Sequence, residues 1–299
     1  MGCNEGASTA YAEDIIKKYF DPRGIKPSGR LQFFFHAPSS DLPVRDVCDE
    51  QGRGRKTEPH LERNAVGIDS WAGETQGPLF EDGSFELVPI PDRFHKMGEN
   101  HDTYGNTKCR SGKFLIDYFP ESIRVNYKNS SIHLDPEFRT FTYGDPTRGA
   151  KRGLRNLKKG DLLVFYAGLE PWPQGGEKSL YIVGYFNVCW AGLATGLNET
   201  ELDARFHNNF HVKHKDALED QRSRLVLVQG DQSSKLLKKA IPISAPGKDK
   251  AGNPLKVLSE DAQTWFGDFG GRIGIQRSAP RWVPARHVAK AAGFIHSLA

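Results

Sequence analysis

With 299 residues, 37% of them hydrophobic, 11% aromatic and 26% charged, the chain can bury a full core and is expected to be a soluble globular protein, neither disordered nor fibrous. No apolar run approaches the roughly 20 residues that span a bilayer, and the start, MGCNEGASTA, lacks the basic and apolar pattern of a secretory leader, so a cytoplasmic location without a membrane partner is expected. The net charge of +4 is uneven: residues 221–299 carry 13 Lys and Arg against 5 Asp and Glu, leaving about −4 for the rest.

In chain order, residues 1–30 read as an N-terminal extension in which TAYAEDIIKKYF forms a short amphipathic helix, broken by the proline and glycine of DPRGIKPSGR. Residues 31–299 read as a single domain. Strands are expected at RLQFFFHAP and RNAVGID, followed by a hairpin in GPLFEDGSFELVPIP, where Asp82-Gly83 is a common turn pair and Pro89 and Pro91 confine the returning strand to an edge. KKGDLLVFYAGL and SLYIVGYFNVCW, joined by EPWPQGG, are expected to pair antiparallel in the core. The stretch from Asn198 to about Asp220 has helical composition, and RLVLVQG returns to strand. DQSSKLLKKA then reads as a helix capped by Ser233 or Ser234, and the tail gives one more strand and a terminal helix from near Pro284. Strands outnumber helices without alternating strictly with them, which predicts a mixed α+β fold: a mainly antiparallel sheet or partly open barrel with flanking helices.

Several stretches could carry chemistry. In IHLDPEFRTFTYGDP, Pro136 and Pro146 push Asp135 and Asp145 out of the helical region, giving a loop with a short strand inside it. His133 and Asp135 would share one face of that strand, suited to a metal or to a base held by a carboxylate, although Pro136 fits a structural turn equally well. His207, His211 and His214 would share one face of a continuous helix, but no H-E-x-x-H pattern accompanies them, so a polar helix face is the preferred reading. The four cysteines, Cys3, Cys48, Cys109 and Cys189, contain no C-x-x-C pair, and spacing gives neither a zinc site nor a disulfide framework. RGAKRGLRNLKK, residues 148–159, holds Lys151, Arg152 and Arg155 among six cations and no acid, suiting a polyanion. The expected helix start at Ser233, Ser234 and Lys235 would offer free amides to a phosphate, yet it does not match the G-x-x-x-x-G-K-[ST] loop of nucleoside triphosphatases. Loop aromatics such as Tyr104, Phe141 and Tyr143 could stack on a base, although core packing is the commoner fate of any single ring.

Taken together, RNAVGIDS, GPLFEDGSFELVPIP, DTYGN, IHLDPEFRTFTYGDP and KKGDLLVFYAGL resemble the third of the nucleotide-modification-associated domain families. KGDLLVFYAGL followed by YIVGYFNV is also similar, more weakly, to the strand pair of PUA and ASCH type domains. The resemblance implies that Asp69, Ser70, Glu81, Asp82, Ser84, Tyr104, His133, Asp135, Arg139, Asp145 and Pro146 are signature positions. It brings no assigned reaction with it.

The expectation is therefore a protein that acts on or recognises modified bases in nucleic acid within a base-modification or defence system, with DNA or a nucleotide as partner. His133, Asp135, Glu81, Asp82 and Asp145 are the candidate catalytic residues. Asp69, Ser70, Tyr104, Arg139, Tyr143, Lys151, Arg152, Arg155, Ser233, Ser234, Lys235 and Arg277 are the candidate nucleic-acid contacts. Alternatives are a non-catalytic reader of modified bases, or a metal-dependent nuclease or transferase using His133, Asp135 and His211. No cofactor and no committed metal ligand set follow from the residues.

Overall fold

The runs LLVFYAGLEP and SLYIVGYFNVCWAGL are dense in apolar, β-branched and aromatic residues, and in the computed structural model they form the two long central strands. The structure describes residues 31–35, 77–92, 101–146, 150–173, 175–275 and 281–298. The first helix expected within residues 1–30, the RNAVGID strand, Asp69, Ser70 and Arg277 lie outside them.

The described strands are β1 (Leu31–Phe35), β2 (Pro78–Leu79), β3 (Ile90–Pro91), β4 (Ile132–His133), β5 (Thr142–Asp145), β6 (Leu162–Pro171), β7 (Ser179–Leu193), β8 (Val226–Gly230), β9 (Lys235–Pro242), β10 (Ser244–Lys248), β11 (Pro254–Leu258) and β12 (Arg281–Trp282). Among the described residues six α-helices accompany them: α1 (Glu121–Tyr127), α2 (Glu199–Phe206), α3 (Phe210–Lys213), α4 (Lys215–Gln221), α5 (Glu260–Phe266) and α6 (Val288–Ser297). The main sheet runs β12-β1-β6-β7-β8-β5, with β2 added on β6 and β9 on β7. It is an open, mostly antiparallel sheet in which only the β1–β6 and β2–β6 pairs are parallel. The fold is α+β, as composition and element order predict.

β6 and β7 pair antiparallel as expected, with a bulge at Phe165/Tyr166. Leu162–Leu169 are all buried because the sheet is covered on both faces. Phe138, Phe165 and Phe186 meet edge to face over the sheet at centroid distances of 5.7, 5.3 and 4.6 Å. The Phe138 ring approaches the β7 backbone so closely that a Cβ at Gly184 would stand 2.5 Å from it.

The turn at Asp82-Gly83 is present. Phe80 and Ser84 flank three residues, Gly83 N–H donates to the Phe80 carbonyl at 2.9 Å, and Leu79 bridges Phe85 antiparallel. β3 then pairs with β4, setting Ile90 opposite His133. The terminal helix α6 follows a short 3-10 turn after Pro284.

Two expectations are corrected. DQSSKLLKKA is not a helix. The Asp231 carboxylate accepts from Ser233 N–H, the Ser234 hydroxyl accepts from the Asn187 amide, and Lys235 opens β9 along β7. An open pairing edge on β7, with Leu237 and Ala240 buried, outweighs the helical propensity of Leu, Lys and Ala. The anion-binding helix start proposed for Ser233, Ser234 and Lys235 therefore does not exist. The second correction concerns FHNNFHVKH, which is not one helix: α2 ends at Phe206, Asn209 caps α3, and His214 lies between α3 and α4.

Candidate functional site

The loop after β4 closes on itself before it reaches the sheet. Glu137 and Thr142 exchange both backbone hydrogen bonds, at 2.8 and 2.9 Å, around the four residues Phe138–Phe141. The Glu137 carboxylate accepts from the amides of Arg139 and Thr140, so the turn's donors are satisfied internally. Phe138 and Phe141 point back into the core against Phe186. Thr142–Asp145 then run as β5 beside β8, with Gly144 opposite Leu227.

This path buries Asp135 completely, with its carboxylate surrounded by groups from three segments. Gly144 N–H donates to Asp135 Oδ2 at 3.0 Å, and Asn209 Nδ2 lies 3.4 Å from Oδ1. His211 Nε2 stands 3.3 Å and His133 Nε2 4.0 Å from Oδ2. Among the described residues, both ion-pair partners of Asp135 are histidines.

One turn of α3 arranges the histidines. Asn209 Oδ1 accepts from the His211 amide at 3.1 Å and caps the helix. Phe210 stacks on the His133 ring at 3.9 Å, and His211 meets that ring edge-on at 4.9 Å. On the far side, His211 Nδ1 lies 2.5 Å from Gln221 Oε1. An amide oxygen only accepts, so Nδ1 carries the proton and Nε2 is turned toward Asp135. Gly144 leaves room for this packing: a Cβ there would stand 2.6 Å from His211 Cδ2 and 3.1 Å from Asn209 Oδ1.

Burial pushes the Asp135 carboxyl up to about 6, opposed by hydrogen bonding and charge from His211 and by the Gly144 amide, with nearby Asp145 pushing the same way as burial. Tyr143, also interior, is held well above the usual phenol range by burial and by the negative charge of Asp145 and Asp135; its hydroxyl donates to Asp145 Oδ2 at 3.2 Å. Beside the cluster is an apolar cavity lined by Leu87, Val88, Pro89, Leu134, Phe165 and Val183 among others, with Asp135 and Tyr166 also in its wall.

The structure thus joins His133, Asp135 and His211, and places Asp145 nearby. Glu81 and Asp82 sit on an exposed turn where Asp82 accepts from Ser84 N–H and Oγ, at 2.9 and 2.6 Å; neither is a partner of Asp135 or His211. Tyr104 is interior and donates to the Pro89 carbonyl at 2.7 Å, so neither it nor Tyr143 presents a ring at the surface. Arg139, Arg155, Ser233 and Lys235 are exposed and Ser234 is buried. Lys151 and Arg152 lie on the 3-10 segment Ala150–Asn156. His207 is exposed on the end of α2. Sequence reasoning gave no weight to Gln221, Gly144 or Phe210. The H-x-D pair of His133 and Asp135 was the local signal that pointed here, and the cap at Asn209 emerges only in the fold.

Fold and site define an α+β protein in which the half-buried His133 meets a buried carboxylate and a buried second histidine beside an apolar cavity. The sequence model of nucleotide modification associated domain 3 matches residues 64–294, and the chain belongs to that family. No curated protein and no solved structure matches the chain.

Proposed function

We propose that this protein acts on modified bases in nucleic acid, DNA foremost, within a base-modification or defence system, and that the His133, Asp135 and His211 centre does the work. The observation that carries this reading is their convergence in one cluster, with Asp135 and His211 buried and His133 partly exposed, within a domain of a nucleotide-modification family. Buried polar groups are costly unless partnered, and here backbone amide, helix cap and Gln221 together hold them in place. Such supported geometry is what an acid/base or ligating site needs.

In this reading the exposed Lys235, Lys238 and Lys239 of β9, with Arg155 and Arg139, take backbone phosphates. The non-catalytic reader is the weaker alternative, because Tyr104, Phe138, Phe141 and Tyr143 pack inward and offer no stacking cage. The test is a mass-spectrometric survey of nucleosides in total DNA from cells with and without the gene. A modified nucleoside whose level changes on deletion and is restored by the wild-type gene supports catalysis. Unchanged nucleosides together with selective binding to a modified duplex would transfer the function to the reader.

A further inference from the structure

The geometry points to a divalent transition-metal site formed by His133 Nε2, Asp135 Oδ2 and His211 Nε2. It deepens the proposed function, since it lies in the same cluster, but it stands on coordination geometry alone. One ligand atom from each residue lies within 4.8 Å of the other two. Ligands about 2.1 Å from a shared ion stand about 3.0 Å apart at right angles and about 3.4 Å apart at the tetrahedral angle. The 3.3 Å between Asp135 and His211 already fits that range. The 4.0 Å from Asp135 to His133, and the His133–His211 separation within 4.8 Å, close to that range with a shift of the His133 ring of roughly 0.6–1.4 Å.

The surroundings match what a metal-binding histidine requires. A ligating imidazole donates its second nitrogen to an oxygen acceptor, which fixes the tautomer and orients the lone pair. Gln221 Oε1 does this for His211. Phe210 sets the plane of His133, and the Gly144 amide with Asn209 orients the Asp135 carboxylate. No lysine or arginine among the described residues pairs with this buried carboxylate, so a cation there meets no resident competitor. Two imidazoles and one carboxylate favour zinc, iron(II), cobalt(II) or manganese(II) over calcium or magnesium, which prefer oxygen ligands throughout. Three protein ligands leave open positions for water or substrate. His133, with 16% of its side chain exposed, marks the side from which they arrive.

The test uses the full chain, freed of metal by a chelator and titrated with cobalt(II) and then zinc under reducing conditions. The expected result is one equivalent of cobalt with a visible spectrum of nitrogen and oxygen ligation, displaced one for one by zinc. His211→Ala and His133→Ala should each weaken binding at least 100-fold, Gln221→Leu about 10-fold or more, and the exposed His207→Ala should leave it unchanged. If either alanine variant fails to fold by circular dichroism, the wild-type spectrum and Gln221→Leu decide. Absence of stoichiometric uptake by the wild type overturns the proposal, as does cobalt binding that Gln221→Leu and the foldable ligand variants leave intact. Binding is read on the protein alone. Metal uptake with unchanged cellular nucleosides would therefore remove the base-modification reading while keeping the metal site, and the opposite pair of results would do the reverse.

Discussion

Gly144→Ala is the smallest change that reaches the centre without touching a ligand. Its Cβ would lie 2.6 Å from His211 Cδ2, 3.3 Å from His211 Cγ and 3.1 Å from Asn209 Oδ1. Ordinary contact begins near 3.4 Å, so the ring must retreat by roughly 0.8 Å. It is held between Gln221 at 2.5 Å and Asp135 at 3.3 Å, and a shift of that size lengthens at least one of these contacts. Overpacking of about 1–3 kcal/mol together with a weakened buried hydrogen bond of about 1 kcal/mol gives a loss of roughly 2–4 kcal/mol. For a chain of this size that lowers the melting temperature by roughly 3–6 °C. Thermal unfolding followed by circular dichroism, with Gly196→Ala as control, measures it. Nothing lies within 4 Å of a Cβ at Gly196, so that variant should melt within about 1 °C of wild type. Equal melting of the two variants would refute the packing argument.

Three further predictions concern other parts of the molecule. Glu86, with 6% of its side chain exposed, accepts from the amides of Arg110 and Ser111 at 3.1 and 2.7 Å, so Glu86→Ala should cost about 2–4 kcal/mol in urea unfolding and Glu86→Gln distinctly less; equal losses would assign the effect to charge alone. Burial pushes the Cys109 thiol up to about 12, leaving a thiolate fraction of about one in ten thousand at pH 8. Alkylation by iodoacetamide, followed by peptide mass, should be slow there and accelerate with every step up in pH, and fast labelling at pH 8 would contradict the burial. Replacing Lys235, Lys238 and Lys239 together by Ala should lower the salt dependence of duplex binding, by about 0.9 in log–log slope for each phosphate contact removed; an unchanged slope would turn β9 away from nucleic acid.

The core was readable because its signals are local and dense. The apolar runs of β6 and β7 and the turn at Asp82-Gly83 specify strands and a tight reversal whatever surrounds them. DQSSKLLKKA misled because its composition favours a helix while its partner, the edge of β7, is far away in sequence. The histidines misled in a related way. A four and three spacing puts His207, His211 and His214 on one helical face, but Asn209 caps a new helix in their midst and His211 alone turns inward. The H-x-D pair at His133 and Asp135 was legible as a polar unit, and the family resemblance marked it. Its completion by His211, 76 positions beyond Asp135, and by Gln221 is a tertiary event that no local pattern encodes. Tyr104 and Tyr143 show the reverse case, residues beside polar neighbours in sequence that the fold draws into its interior.

The most direct test of the account asks whether His211, which belongs to none of the quoted family motifs, is required together with His133. Cells lacking the gene would be complemented with wild type, His133→Ala, His211→Ala and His207→Ala at matched protein levels, and their DNA nucleosides compared by mass spectrometry. Wild type and His207→Ala should restore the same modified-nucleoside profile, and the His133→Ala and His211→Ala variants should both leave the deletion profile unchanged. Full restoration by His211→Ala would contradict the account.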